Sequence, residues 1–243
     1  DEDTRAWIDS GAQVNTTNPS GHNSAQDVFV LASDDTQITS VAGALAYGGN
    51  YGIGIGANIA VIDKDTEAYI ASSTTVNAKD SVMVQAFADE QAIAVAGTIA
   101  VSASVGFGAS AVVWVMNTNT KAYVQESATN ANGATIAAGN VLIAADGNAD
   151  LLTVAGTIAY GSKLGVGVSV STVVRTDTVE AFIGEYANVT ADGRATASVI
   201  AVKDGNLDSS RNATTTSKKG VFVTATSTEK LLTIAAAGAG GMS

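Results

Sequence analysis

The sequence predicts an all-β protein, an elongated β-solenoid wound as a parallel β-helix from repeats of about 54–59 residues. Three observations lead there. A block recurs: Val41-Ala42-Gly43, Gly52-Ile53-Gly54 and Glu67-Ala68-Tyr69-Ile70 return as Val95-Ala96-Gly97, Gly106-Phe107-Gly108 and Lys121-Ala122-Tyr123-Val124. They return again as Val154-Ala155-Gly156, Gly165-Val166-Gly167 and Glu180-Ala181-Phe182-Ile183. All three landmarks move together, by 54 residues and then by 59, as stacked units with insertions confined to loops do. Apolar and small residues alternate with period two, as in Leu164-Gly165-Val166-Gly167-Val168-Ser169-Val170. Finally, only 5% of residues are aromatic and Pro19 is the sole proline, so the core is thin and the ladders run uninterrupted.

Taken in order, residues 1–243 form a single repeat region. Residues 1–37 are a partial repeat, because Thr4-Arg5-Ala6-Trp7-Ile8 matches Thr66-Glu67-Ala68-Tyr69-Ile70. Within it, Gly11 to Asp27 is eight residues longer than its counterpart and reads as an enlarged loop. Repeats follow at about 38–91, 92–150 and 151–230, with a truncated one at 231–243. The five residues that separate 59 from 54 lie around Thr129 to Gly133, a polar stretch that reads as a lengthened loop. Val221 to Ala225 lies 80 beyond Val141 to Ala145, which places an insertion at about 203–220. That insertion has the size of one further coil, and with coils of roughly 20 residues each repeat holds about three. The chain starts and stops inside a repeat and reads as a piece of a longer array.

The alternation predicts that Tyr51, Ile53, Ile55, Ile59 and Val61 face a core. Gly52, Gly54 and Gly56 are then left on a bare face, against which a neighbouring coil or another molecule packs closely. Acidic clusters follow the Val-x-Val-x-Ala strands at Asp34-Asp35, Asp89-Glu90, Asp146 to Asp150 and Asp204 to Asp208, and read as turns stacked along one edge. Trp7, Tyr69, Tyr123 and Phe182 stack as a ladder, read as core. Two charge-free windows, Gln37 to Ile62 and Gln91 to Met116, are long enough for a membrane helix, but their Gly, Ser and β-branched content assigns them to strands.

Composition excludes several functions. A formal charge of −11 leaves no basic surface to neutralise nucleic-acid phosphates. The absence of cysteine removes disulfides, thiolate metal sites and cysteine nucleophiles. His22, the one histidine, stands in a Ser-Gly-His-Asn-Ser loop without a nucleophile elbow. Asp63, Asp65 and Glu67 are replaced by Asn117, Asn119 and Lys121 in the next repeat, so they read as polar surface and not as an acid/base pair. No catalytic or cofactor-binding set emerges, and the chain is expected not to be an enzyme.

The Gly-Val-Gly-Val-Ser-Val run at Gly165 to Val170, Thr-x-Ala-Tyr-Ile at Thr66 to Ile70, and Val-x-Val-x-Ala at Val82 to Ala86 resemble the long repetitive surface proteins of Gram-negative bacteria. These are the filamentous-haemagglutinin-like adhesins and leukotoxin-like proteins. The resemblance covers nearly the whole chain outside the insertions. It implies a right-handed parallel β-helix, secreted or outer-membrane-associated at the cell surface, that binds a host or neighbouring-cell protein or glycan, or copies of itself. The expected function is a rigid structural or adhesive stalk presenting loops. Two alternatives are a self-assembling extracellular filament joined through end strands and a membrane-active toxin segment.

Two sets of residues are candidates for contact. Calcium is the one ligand suggested: Asp146, Asn148 and Asp150, and Asp204, Asn206 and Asp208, supply oxygens at alternate positions as the first half of an EF-hand loop does. Neither has the glycine at the sixth position or the glutamate at the twelfth. Arg211, Lys218 and Lys219 form a basic tip on an acidic body, suited to an anionic glycan, in a stretch without apolar periodicity expected to be a surface loop outside the coil.

Overall fold

The structure, a computed structural model, describes residues 2–16, 24–193, 198–210 and 212–242. His22, Pro19 and Arg211 lie outside the described residues. Among the described residues fourteen strands are formed: β1 (Glu2–Ile8), β2 (Gln13–Val14), β3 (Val28–Gly48), β4 (Tyr51–Ile70), β5 (Thr75–Asn77), β6 (Ser81–Ser102), β7 (Val105–Val124), β8 (Thr135–Ala138), β9 (Asn140–Gly161), β10 (Leu164–Ile183), β11 (Asn188–Ala191), β12 (Ile200–Leu207), β13 (Ala213–Lys218) and β14 (Val221–Gly240). A 3-10 turn at Asn130–Asn132 is the one helical element among the described residues.

Three parallel four-stranded sheets carry the fold, in the orders β1-β4-β7-β10, β3-β6-β9-β14 and β2-β5-β8-β11. Their register is the repeat itself. Gly43 pairs with Gly97 and Gly97 with Gly156, Tyr69 with Tyr123 and Tyr123 with Phe182, and Val221 with Val141. Within a turn of chain, two strands of about twenty residues lie face to face, β3 on β4, β6 on β7, β9 on β10. A two-residue arch joins them at one end, and a short strand closes the other. The arches stack too, with the Val105 N–H donating to the Asn50 carbonyl at 3.0 Å and the Lys163 N–H to that of Ser104 at 2.9 Å. At the corner three residues past the long strand, Gly11, Ser73 and Tyr186 all take left-handed φ, of 78°, 61° and 63°.

One repeat is therefore one turn, not three. At about 3.3 Å per residue the long strands run about 70 Å, whereas four strands about 4.8 Å apart stack to less than 20 Å. The slab is elongated along its strands, and each added repeat lengthens the stack by a single strand spacing. The acidic clusters lie mid-strand: Asp35 pairs with Asp89 and Asp89 with Asn148 in the interior of β3, β6 and β9. The insertion is a hairpin, β12 antiparallel to β13, and not a further turn. Its Ile200 and Val202 are buried against Leu142, Ala144, Met83 and Phe222 on the outer face of the β3-β6-β9-β14 sheet. The Ser209–Lys219 stretch thus contains a strand whose hairpin packs on the body.

The interior tapers from the short sheet to the arches. Beside the short sheet it is filled by branched side chains, Ile70, Val76, Val82, Val124, Ile136 and Ile143 among them. Further along come Met116 and Trp114, whose indole N–H donates to Asn58 Oδ1 at 3.1 Å. Near the arches the two sheets approach so closely that only small residues fit. A Cβ on Gly108 would stand 2.7 Å from Thr157 Cγ2, and one on Gly54 2.9 Å from Thr98 Cγ2. This reverses the expected sidedness: the glycines of β4 and β7 point inward, and Tyr51, Ile53, Ile55, Ile59 and Val61 point out. The close packing expected at the glycine face is supplied by the opposite sheet, chiefly by the strand of the following turn: β6 against the glycines of β4 and β9 against those of β7.

A belt of polar and charged side chains crosses the interior between the two apolar regions. Lys64 Nζ lies 2.5 Å from Asp34 Oδ2 and donates to the Thr36 hydroxyl. Arg175 reaches Asp177 at 3.4 Å and Glu229 at 3.2 Å, and the Thr118 hydroxyl donates to Asp177 at 2.7 Å. Glu90, 2% exposed, lies among them, and neither of its carboxylate oxygens accepts a hydrogen bond from a described residue. Burial pushes its pKa up to about 7 against the attraction of Lys64 and Arg175.

Candidate functional site

The outer faces of the arch half hold the most unusual chemistry. On the β3-β6-β9-β14 sheet the outward residues of successive columns are Val41, Val95, Val154 and Ile234, then Gly43, Gly97, Gly156 and Ala236, then Leu45, Ile99, Ile158 and Gly238. In-register pairing turns one glycine per repeat into a channel across all four strands. Its floor is open, with no heavy atom within 4 Å of a Cβ placed on Gly97 or Gly156. The groove encloses about 940 Å³. Leu45 is 80% exposed and Val41 74%, on a face with no charged residue from Thr36 to Gly48, Gln91 to Ser102 or Leu151 to Gly161. Isolated exposed leucines need no explanation, but a contiguous apolar face of this extent marks an interaction surface. The opposite sheet is apolar as well, with Ile53 beside Phe107 and Phe107 beside Val166, but without a glycine channel.

The residues singled out for calcium separate in space. Asp146, Asn148 and Asp150 occupy alternate positions on one face of β9, about 6.6 Å apart per step, so they do not wrap around a point as loop ligands do. Asn148 and Asp150 line a polar cavity of about 300 Å³ beneath the hairpin, with Asp89, Gln91, Asn212 and two cations, Lys203 and Lys230. Burial raises the pKa of Asp146, while Lys203 and the Thr226 hydroxyl oppose that rise. Burial and the neighbouring Asp35 and Asp150 raise that of Asp89.

Asp204, Asn206 and Asp208 belong to the hairpin and stabilise its own turn. The Thr214 hydroxyl and Asn206 N–H donate to Asp204 at 2.6 and 2.9 Å, and the Asn212 and Ser210 N–H groups to Asp208, both at 2.8 Å. These bonds hold both carboxyls below their ordinary range, led by Thr214 for Asp204 and by Asn212 for Asp208. Among the described residues no group of three or more acidic, His or Cys side chains is arranged to hold a metal. Lys218 and Lys219 are exposed at the hairpin base, where Lys219 attracts Asp80.

The aromatic ladder is an outer feature and not core. Trp7, Tyr69, Tyr123 and Phe182 stack with ring centroids 6.1, 5.0 and 5.0 Å apart and planes within 9°. Trp7 is half exposed. Beside it runs the column Arg5, Glu67, Lys121, Glu180, in which Arg5 pairs Glu67 at 3.4 Å and Lys121 pairs Glu180 at 3.0 Å. Alternating signs on successive strands favour this register over a slipped one.

Sequence reasoning missed the exposed channel because it read sidedness only along Tyr51 to Val61 and Leu164 to Val170 and assigned no face to Val41, Gly43 and Leu45. The signal was the Ala-Gly-x-x-Ala pattern at Ala42-Gly43, Ala96-Gly97 and Ala155-Gly156, one glycine between larger residues at the same register in each repeat. No family model, curated protein or solved structure matches the chain. No helix among the described residues is long and apolar enough to cross a membrane.

Proposed function

We propose that the chain is a non-enzymatic structural and adhesive segment of a cell-surface or secreted protein: a β-solenoid stalk, a right-handed parallel β-helix, that presents corner insertions for attachment to a surface protein or glycan. The observation that carries this reading is that every long ladder keeps its register through four strands while the length differences fall at corners, the 3-10 turn at Asn130–Asn132 and the β12–β13 hairpin. A body that absorbs insertions only at its edges is built to hold them out in fixed positions.

The test is excision of Ala71 to Val124. Ile70 and Val124 are paired partners, so joining Ile70 to Gln125 removes one complete turn and returns the chain to an equivalent position. The variant is expected to fold with unchanged ellipticity per residue and to retain attachment to cells or to sulfated-glycan surfaces through the hairpin. Loss of cooperative folding would contradict the modular scaffold. Failure of the intact chain to attach to any such surface would remove the adhesive part of the reading.

A further inference from the structure

We propose that the channelled face of the β3-β6-β9-β14 sheet is a self-association surface, which pairs two copies of this chain through a two-fold axis parallel to the channel. This inference is independent of the adhesive reading, since it concerns what covers the body and not what the hairpin meets.

Three observations fix the occupant as a second copy. The charge-free part of the face is about eleven residues long and four strands deep, from Ile38 to Gly48 on β3, and the part that two copies share about an axis between the Gly43 and Leu45 columns, Ser40 to Gly48, covers about 570 Å² at the spacings of a sheet. Standard interfaces bury about 800 Å² per partner and weak, transient ones less than about 600 Å², so this overlap suits a weak, reversible dimer. The relief is self-complementary. The Gly43–Gly97–Gly156 channel lies one outward position, about 6.6 Å, from the Leu45–Ile99–Ile158 ridge. A two-fold axis parallel to these columns and midway between them lays each ridge in the partner's channel, with the facing strands antiparallel. Packed sheets of a sandwich meet in the same way, with interdigitated inner faces.

The charge distribution agrees with that orientation. The body carries a net charge of −11, and the charges on this outer face begin at Asp35, Asp89 and the Asp150–Lys230 pair, within one outward position of each other along the strands. The antiparallel arrangement sends the two charged halves to opposite ends and leaves only uncharged surface between copies. Lipid fits less well as occupant. β3 and β14 are the outer strands of their sheet, and immersion in hydrocarbon would strand their unpaired N–H and C=O groups.

The experiment is sedimentation velocity on the full chain from about 1 to 100 µM, a range suited to the weak association that an interface at the low end of the size range gives. A reversible dimer at twice the 24.2 kDa monomer mass is expected. Gly97→Val with Gly156→Val fills the channel where no atom of the same chain stands in the way, so the fold should persist by circular dichroism while the dissociation constant rises about 100-fold. Leu45→Lys, on an exposed edge position, should act likewise and serves as the second variant if the glycine pair misfolds. Ile55→Lys on the opposite sheet should leave the dimer unchanged. A monomer throughout the range would overturn the proposal, as would open-ended polymers, a dimer that survives channel filling, or one lost with Ile55→Lys. Stronger partition into neutral phosphatidylcholine vesicles than into dimers would reassign the face to lipid.

Discussion

Replacing Glu90 by glutamine should stabilise the protein at alkaline pH and leave it unchanged in acid. Glu90 is buried in the charged belt, and desolvation lifts its pKa from 4.5 to about 7 although Lys64 and Arg175 pull the other way. The sign follows from linkage. Below pH 4.5 both folded and unfolded chains hold the proton, and the group is neutral in each. Between 4.5 and about 7 the unfolded chain releases it while the folded chain retains it, so stability falls as pH rises, and above that range the penalty is constant. At about 1.4 kcal/mol per pH unit, the span amounts to about 3 kcal/mol. Glutamine keeps the shape and never ionises, so the variant should exceed the wild type by about that amount at pH 8 and by nothing measurable at pH 4. Urea denaturation of both proteins from pH 4 to 8 gives the difference directly, and taking the difference cancels the carboxylates common to both. A variant no more stable at pH 8, or one whose advantage persists unchanged at pH 4, would refute the assignment of Glu90 to a desolvated interior.

Other perturbations separate the two kinds of glycine and test the hairpin. Gly108→Val places its Cβ 2.7 Å from Thr157 Cγ2 between the facing sheets and should cost about 1–3 kcal/mol in urea melts, whereas Gly97→Val, with open space above it, should cost less than about 1 kcal/mol. Equal losses at the two sites would contradict the inward and outward assignments. Ile200→Asp should detach the hairpin from Leu142 and Ala144, seen as faster amide exchange across 200–218 with the long ladders still protected. Exchange that accelerated across β9 and β14 as well would show that the hairpin is integral to the sheet.

The repeat lengths were legible because pairing in a stacked parallel sheet reproduces sequence displacement. The displacements of 54, 59 and 80 residues became the pairings Gly43 to Gly97, Gly97 to Gly156 and Val141 to Val221. Sidedness was not legible. A period of two says that Ile53 and Gly54 lie on opposite faces, but not which face is inside, and the usual preference for apolar interiors fails where a two-residue arch leaves space for glycine alone. The number of turns per repeat was hidden for a related reason. Asp146-Gly147-Asn148 has the composition of a turn, yet it continues a strand in which Asp146 and Asn148 face outward and Gly147 makes room for Val179, whose Cγ2 would be 2.8 Å from a Cβ there. The channel and the charged belt depend on columns from several repeats, and a single stretch of sequence does not display a column.

One repeat makes one turn, and two spin labels test this directly. The chain has no cysteine, so Thr39→Cys and Ile93→Cys introduce unique sites, which face outward on adjacent strands as paired residues. One turn per repeat places their backbones about 4.8 Å apart, whereas three coils per repeat would place them about 14 Å apart. The doubly labelled protein should show severe dipolar broadening of its continuous-wave spectrum relative to the sum of the single labels. A spectrum that equals that sum would contradict the fold.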